Sequence, residues 1–536
     1  GLSATVRPVL AAAAALLLMA GSARGGAFRG SGVAVSTGSM RAEDLRAAML
    51  DELMAALGHG NRVTEIRLQG IEEALRPMFL AMHKNEHGHL DHSGVRYALH
   101  RLFVLRHGMF IKGLEPGGAG WSGASPTEVL DDRVPAYVQS LFEQRLDGRG
   151  LGLHEVAILA ATLEHLVHDE AVGQLKVAYE ASDLRMEESL TSFEVEEIID
   201  TYMVIFLMGF NTSTTGTSTI KAHKQNIHKV YPSWPESQAF TRQVHREVAK
   251  ANAADPGFAG GRFSFNATSR IMEEIMERYG RWQDKECKSL KTALMDLEDN
   301  GSGRVLLKNF YGSAKGGAWQ FTESVEYLKS LGALDTSSSQ RQGVIIPNYI
   351  NSHSNCLASS SMFSVCCLNE CEPLLGHVER EVGSPDATPE RVLEIVAKLP
   401  STTVNAPREI SEELRRLLDE IAQQHSGKVP LHGRLFGQWL HHAYPRECPY
   451  PHKSGTTNPQ TADEWISENG RNNVASEAEM QQHIDAAVAT CPSNGTGACS
   501  DDNAAAEPTP LMWTAEEELV VSTTPAPTFG SRRTRS

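Results

Sequence analysis

Cysteine is absent from the first 286 residues of this 536-residue chain, and all eight cysteines lie from residue 287 onward. The first half therefore has neither disulfides nor thiolate metal sites. An excess of basic residues is also lacking, because 66 acidic and 50 basic side chains give a net charge of −16. This balance disfavours a nucleic acid as partner.

Long apolar runs are missing from the body of the chain as well. The run at residues 203–210 is far too short to cross a bilayer, which takes about 20 apolar residues. No protease or oxidoreductase signature surrounds any cysteine, so no motif names an enzyme class. The length suits about two to four domains with their own cores.

One apolar run does lie near the N-terminus, at residues 9–20, after Arg7 and before small residues at 21–23. Basic, apolar and small residues in this order predict a secretory signal peptide over residues 1–23. The alternative is a buried alanine-rich helix. Residues 24–40 are rich in glycine and serine and contain no acid, which is typical of a bipartite plastid leader. The predicted location is the secretory pathway or the outside of the cell, with the plastid as the alternative.

The most informative stretch is residues 293–310, ALMDLEDNGSGRVLLKNF. A twelve-residue loop numbered from Glu298 has Gly303 at position 6 and Val305 at position 8, between two apolar helix ends. This frame resembles the EF-hand family, whose loop turns sharply at a glycine in position 6. The resemblance implies calcium ligands at Glu298, Asn300, Ser302, the Arg304 carbonyl and Asn309. A strong site has a bidentate Glu at position 12, so Asn309 implies weak binding, on the order of 10⁻⁴–10⁻³ M.

A second stretch shares the frame when it is numbered from His83, with Gly88 at position 6 and Leu90 at position 8. Imidazole is a poor ligand for a hard cation such as calcium. The metal-binding alternative is a zinc or copper site formed by His83, His87, His89 and His92.

Two more units complete a predicted array of four. The third, around residue 147, fits no register, whereas the fourth, numbered from Asp183, has Leu190 at position 8 and Glu194 at position 12. Asp183 and Glu194 are therefore further candidate oxygen ligands. The third and fourth loops begin 38 residues apart, from residue 145 to residue 183, and this spacing predicts that they pair. The alternative for every loop is a structural unit that binds no metal.

A block rich in cysteine and histidine follows the array. Its chemical candidates are Cys356, Cys366, Cys367, Cys371, Cys448, His432, His441, His442 and His452. Disulfides are the first interpretation, with separate partners for the adjacent Cys366 and Cys367. A zinc site at Cys367, Cys371, Cys448 and a histidine is the second, although the spacing fits no zinc motif. The third is a thiol enzyme that uses Cys356 with His432 or His442.

Helices are predicted in this block at residues 389–399 and 410–425, each after a capping residue. An apolar stripe at residues 435–440 predicts a further core helix. Acceptor sequons at Asn211, Asn266 and Asn494 predict N-glycosylated loops in a secreted chain. Over roughly residues 70–465 the sequence also resembles proteins of dinoflagellate algae, a likeness that implies a family and brings no known activity.

The predicted fold is mainly α: an EF-hand-like helix–loop–helix array, then a disulfide-stabilised, Cys/His-rich helical domain. The predicted segments are a signal peptide (1–23), a linker or leader remnant (24–45), the array (46–210), an insertion (211–270), the central unit (271–335), the Cys/His-rich domain (336–465) and a disordered tail (466–536) in which Cys491 and Cys499 pair. The predicted function is calcium-linked binding or scaffolding with a protein partner. A metal- or thiol-dependent enzyme and a structural partner-binding module without metal are the alternatives.

Overall fold

Helices dominate the chain, as the sequence predicted, and strands are two or three residues long. The computed structural model describes residues 65–114, 125–130, 139, 142–143, 146, 149–315, 321–338, 341–357, 360, 362–489 and 511–520, which all belong to one compact unit. The predicted signal peptide, the leader remnant, Asn494 and the pair Cys491 and Cys499 lie outside the described residues. No helix in the described ranges has the length and apolarity that a membrane span requires.

The helices are α1 (Glu65–Ala81), α2 (His92–His107), α3 (Leu153–Ala181), α4 (Ser192–Leu207), α5 (Thr217–Val230), α6 (Trp234–Ala251), α7 (Phe265–Asp296), α8 (Leu307–Lys315), α9 (Val325–Ser330), α10 (Ile346–Ile350), α11 (Cys371–Val382), α12 (Pro389–Lys398), α13 (Glu412–Gln424), α14 (Arg434–Ala443), α15 (Ala462–Asn469) and α16 (Glu477–Ala489). Short 3₁₀ turns lie at Glu128–Leu130, Pro256–Gly261 and His353–Asn355. The strands are β1 (Met109–Ile111), β2 (Leu190–Thr191), β3 (Arg262–Phe263), β4 (Arg304–Leu306), β5 (Leu334–Asp335), β6 (Gly343–Ile345), β7 (Phe363–Val365), β8 (Asp386–Ala387) and β9 (Val429–Pro430).

Antiparallel strands join the helix–loop–helix units in pairs. In the first pair, Leu90 and Leu151 exchange two backbone hydrogen bonds of 2.9 Å. In the second pair β2 lies beside β3, and in the third pair β6 lies between β4 and β5. The fourth pair, within the Cys/His-rich block, joins β8 to β9. Apart from β5, each of these strands precedes a helix, so the pairing places two helix starts side by side.

The predicted pairing of the third and fourth loops is wrong. The third loop pairs with the first through Leu151, and the fourth pairs through β2 with β3, in the stretch predicted as an insertion. The reason is α3, which is continuous over 29 residues. A helix of this length is a rod of about 43 Å, so it holds the two loops at its ends apart.

Capping residues explain where the second helix of a unit begins. Asp91, Thr191, Ser264 and Thr388 each accept a hydrogen bond from the backbone N–H three residues later. Such caps satisfy donors that the first helical turn leaves free. The residue before each cap is the apolar strand residue, so strand pairing and helix initiation are encoded together.

The apolar cores follow the pairs. One core joins the first two pairs, a second fills the fourth pair, and a third surrounds the central loop. Leu435, Phe436 and Trp439 are buried in the second core, which confirms the predicted apolar stripe. The third core also takes Met480 of α16, from the stretch predicted to be a disordered tail. That prediction is wrong for residues 477–489, because α16 packs against α8.

Candidate functional site

The central loop, residues 298–309, follows α7, includes the first turn of α8 and closes on its own backbone. Asp299 N–H donates to the Arg304 carbonyl at 2.9 Å, and Gly303 N–H donates to Glu298 Oε1 at 2.5 Å. The predicted carbonyl ligand and one oxygen of the predicted carboxylate ligand therefore already accept hydrogen bonds. Gly303 has φ +74°, which the sharp turn requires.

A guanidinium from the fourth pair holds the predicted position-1 ligand. Arg446, 148 residues away in sequence, donates from Nε and Nη2 to Glu298 Oε2 at 2.8 and 2.6 Å. The Glu298 side chain is 3% exposed and that of Arg446 is 26% exposed, so the carboxylate is buried while the guanidinium reaches solvent. The neighbouring Pro445 fits against the loop because Gly303 has no side chain: a Cβ there would lie 2.2 Å from the Pro445 carbonyl oxygen.

The remaining predicted ligands of the central loop are used in different ways. Asn300 Nδ2 donates to Asp299 at 3.2 Å, and Asn309 Nδ2 donates to the Leu297 carbonyl at 3.2 Å. Ser302 Oγ is buried and has no hydrogen-bond partner among the described residues. The five predicted ligands thus share one loop, but contacts within the protein engage the carboxylate and the carbonyl, and they hold both asparagines through the amide nitrogen.

The fourth loop separates its two predicted ligands. Asp183 Oδ2 accepts a hydrogen bond from Lys221 Nζ at 2.7 Å, at an exposed position. Glu194 Oε2 accepts hydrogen bonds from the N–H and the hydroxyl of Thr191 at 2.7 and 2.8 Å, and thereby caps α4. These hydrogen bonds to Thr191 lower the pKa of Glu194. Its role in this structure is to stabilise the start of a helix.

The histidine-rich first loop is organised around Asn85. Asn85 Oδ1 accepts hydrogen bonds from the N–H groups of His87 and His89, and Asn85 Nδ2 donates to the Arg149 carbonyl at 2.8 Å. His89 Nδ1 lies 3.1 Å from the same carbonyl. In the part of the chain that the structure describes, no group of three or more His, Cys, Asp or Glu side chains is placed to hold a metal ion.

Six cysteines of the second half form three disulfides, as the first interpretation predicted. The pairs are Cys287–Cys367, Cys356–Cys366 and Cys371–Cys448. The adjacent Cys366 and Cys367 have separate partners, which confirms that prediction. Cys356 therefore has no free thiol for catalysis, and Cys367, Cys371 and Cys448 have none for zinc.

The predicted catalytic histidines do not converge on a cysteine. His432 Nε2 lies 2.7 Å from Glu379 Oε1, and His442 Nε2 donates to the Met512 carbonyl at 2.9 Å. Burial lowers the pKa of His442 to about 4, so this imidazole is neutral at pH 7. His432 thus has a structural partner on α11, and His442 has one in residues 511–520.

A cavity of about 690 Å³, which no sequence motif indicated, lies between α2, α3, α6 and α7. At its wall, Glu164 is 3% exposed and receives hydrogen bonds from Arg67 at 2.9 Å and His107 at 3.0 Å. On the opposite wall, Arg278 contacts the carboxylates of Glu247 and Glu274 at 2.5 Å each. These charges come from helices distant in sequence, so no local motif marks the cavity. Because they neutralise one another within the wall, they do not favour a ligand of either charge.

Comparisons of the chain with protein-family models, with curated proteins and with solved structures find no match.

Proposed function

We propose that this protein is a binding scaffold built from EF-hand-like helix–loop–helix pairs that need no metal. The observation that carries the proposal is the contact between Arg446 and Glu298. In a calcium-loaded EF-hand the position-1 carboxylate binds the ion. Here the same carboxylate binds a guanidinium with two nitrogen–oxygen contacts of 2.8 and 2.6 Å. The positive charge that the loop requires is supplied by the chain itself.

The energetics leave little or no net gain for a calcium ion that displaces the arginine. Removing one partner of a buried ion pair typically costs about 3–5 kcal/mol, because the other charge is left without compensation. A calcium ion at Glu298 has to displace Arg446 and gains only neutral oxygens from Asn300 and Ser302 in exchange. Weak binding of about 10⁻⁴–10⁻³ M amounts to roughly 4–5 kcal/mol, which is of the same size as that cost.

The remaining loops support the same function. Lys221 contacts Asp183, Glu194 caps α4, and Asn85 ties the first loop to the third. In each loop a side chain at a ligand position holds the loop's own shape or a neighbouring element. Three disulfides favour an oxidising compartment, so we place the scaffold in the secretory pathway or outside the cell.

Calcium titration with matched variants tests the proposal. The melting temperature of the wild type should be the same in about 5 mM calcium, above the weak EF-hand range, and in EDTA. The double variant Arg446→Gln/Asn309→Glu should gain calcium-dependent stability, about 2 kcal/mol if its Kd is about 10⁻⁴ M. The control is Arg341→Gln/Asn309→Glu, because Arg341 contacts Asp299 of the same loop at 2.6 Å, at a non-ligand position.

The outcomes separate the two functions. The proposal is supported if calcium stabilises the Arg446 double variant but does not stabilise the Arg341 control. This result means that Arg446 occupies the position of the ion in the wild type. Stoichiometric calcium binding by the wild type, with a higher melting temperature, overturns the proposal in favour of calcium-linked binding.

A further inference from the structure

Residues 511–520, LMWTAEEELV, lie in a groove along α14 of the fourth pair. Leu511 and Trp513 pack against the apolar core of that pair. The backbone then runs beside the loop before α14, where Gly433 and Leu519 form an antiparallel bridge. We call this stretch the docked segment; it follows residues 490–510, which the structure does not describe.

Side chains of the groove form hydrogen bonds with the backbone of the docked segment. Gln438 Nε2 donates to the Thr514 carbonyl, and Gln438 Oε1 accepts from the Thr514 N–H, both at 3.0 Å. One amide side chain thus satisfies both the N–H and the carbonyl of a single residue of the segment. Gln438 is 0% exposed, and the hydroxyl of Tyr450 donates to its Oε1 at 2.8 Å. The Gln438 amide is therefore held in position by the rest of the protein.

The start of α14 binds the Glu516 backbone and the Glu517 carboxylate. Arg434 donates from Nε and Nη2 to the Glu516 carbonyl at 3.1 and 2.6 Å. The Glu517 carboxylate accepts from the Leu435 N–H at 3.0 Å and lies 3.0 Å from His425 Nε2. A carboxylate is favoured there because the first N–H groups of a helix carry partial positive charge.

A glycine makes room for that carboxylate. A Cβ on Gly433 would lie 2.8 Å from Glu517 Oε2, closer than van der Waals contact allows. Beyond the glycine, Arg434 N–H donates to the Glu518 carbonyl at 2.9 Å, and Val520 N–H donates to the His432 carbonyl at 3.1 Å. The groove thus combines an apolar pocket, an amide side chain that hydrogen-bonds to the peptide backbone, and a helix start that binds a carboxylate.

We propose that this groove is a peptide-binding site, which the docked segment occupies in the free protein. The partner is a protein that presents an extended segment of the same chemistry, an apolar and tryptophan anchor followed by acidic residues. Such a partner replaces the docked segment, because most contacts are made to backbone atoms and to one carboxylate. This inference names the partner class of the proposed scaffold and rests on that function.

Tethering explains why the site is closed in the intact chain. Because the docked segment belongs to the same chain as the groove, it competes at the effective concentration of a tethered segment, on the order of millimolar. A free partner peptide at micromolar concentration therefore gains access only when the docked segment is released.

The test uses the full chain with a specific protease recognition sequence introduced between residues 500 and 505. A fluorescently labelled peptide with the sequence of residues 509–522 is titrated before and after cleavage, in EDTA, and its anisotropy is measured. Cleavage and removal of the released fragment should tighten peptide binding at least tenfold. No binding to the cleaved chain, with an unchanged circular-dichroism spectrum, overturns the proposal.

Peptide variants keep the test independent of protein folding. Glu517→Gln in the peptide should weaken binding about tenfold, since its carboxylate lies at the start of α14. Glu516→Gln is the matched control, because that side chain is 64% exposed and contacts only the surface Lys453 among the charged groups described. N-methylation of Thr514 removes the donor to Gln438 and should also abolish tight binding. If the unmodified peptide, both glutamate variants and the N-methylated peptide bind with equal affinity, binding is non-specific and the proposed site is wrong.

The two proposals fail separately. A failed peptide titration leaves the calcium-independent scaffold intact, whereas a wild type that requires calcium for stability removes the scaffold whatever the peptide does.

Discussion

At the scale of single residues, buried charge pairs join segments that are far apart in sequence. Arg101, 1% exposed on α2, donates to Glu379 Oε1 at 2.5 Å and to Glu372 Oε2 at 2.6 Å. Both carboxylates lie on α11, and His432 Nε2 lies 2.7 Å from Glu379. The first and fourth pairs are therefore connected by charges that cannot lose a partner without leaving another charge buried.

Acid titration should reveal one such carboxylate, Glu164 in the cavity wall. Burial alone raises its pKa, but the hydrogen bond from His107 and the charges of Arg67 and Arg106 outweigh burial and hold it at about 2. An unfolded glutamate has a pKa of about 4.5, so between these values the unfolded state binds more protons. The free energy of unfolding should therefore fall as the pH drops from about 4.5 to about 2.

The variant Glu164→Gln checks this prediction. Urea denaturation across this pH range should show a flatter pH dependence in the variant, with a difference of up to about 3 kcal/mol. Glu73→Gln, at an exposed glutamate of α1, is the control. Parallel curves for the wild type and Glu164→Gln would contradict the pairing described for the cavity wall.

At the scale of elements, two glycines of the central loop separate backbone strain from steric contact. Gly301 and Gly303 have similar φ values of +72° and +74°. A Cβ on Gly301 would have Arg446 Nη2 at 3.5 Å as its nearest neighbour, whereas on Gly303 it would lie 2.2 Å from the Pro445 carbonyl oxygen. Gly301→Ala should therefore cost about 1 kcal/mol for the left-handed backbone.

Gly303→Ala should cost several times more, because the same strain is joined by a backbone clash. Thermal and urea unfolding of both variants give the comparison. Equal losses for the two variants would mean that the turn at residues 445–446 does not rest on the central loop.

The sequence predicted the helix–loop–helix units where glycine and an apolar residue held the EF-hand positions, as at Gly303 and Val305. It missed the loops that contain β3 and β6, because neither has the acidic and amide pattern of a calcium loop. The β3 loop carried a different signal: Phe263 directly precedes the cap Ser264, as Leu190 precedes Thr191, whereas the helix after β6 has no side-chain cap. An apolar residue followed by a cap marks this architecture better than ligand positions do.

Contacts across long sequence distances were beyond sequence reasoning. Arg446 was not singled out, since nothing near residue 446 indicates that its guanidinium lies against Glu298. The predicted disulfides followed from clustering and an oxidising compartment, but Cys287 lies far from the cluster and its pairing with Cys367 needs the fold. The docked segment was predicted to be part of a disordered tail because its composition is acidic, although hydrogen bonds from Arg434 and Gln438 to its backbone hold it in the groove.

At the scale of the whole molecule, the disulfides should differ in their contribution to stability. Cys287–Cys367 closes a loop of 80 residues, whereas Cys356–Cys366 closes one of 10. The loop-entropy relation gives about 4.5 kcal/mol for the former and about 3 kcal/mol for the latter. Paired Cys→Ala variants, compared by urea denaturation, should show the larger loss for the Cys287–Cys367 pair.

Thiol counting provides the control for that comparison. Denatured, non-reduced wild-type protein should show none of the six cysteines as free thiols. Free thiols at these positions, or a larger loss for the short loop, would contradict the expected order.

Two helices are shared between successive pairs, α3 with 29 residues and α7 with 32. The length of each helix determines both the distance between the two pairs at its ends and their relative rotation about the helix axis. Each helical residue advances the chain by about 1.5 Å and turns it by about 100°. One extra residue in α7 would therefore rotate everything beyond it by roughly a quarter turn, and Cys287 would no longer face Cys367. Seven extra residues, about two turns, would nearly restore the phase but shift the later pairs by about 10 Å. We therefore expect the array to tolerate only those changes in helix length that keep the later pairs in the same rotational phase.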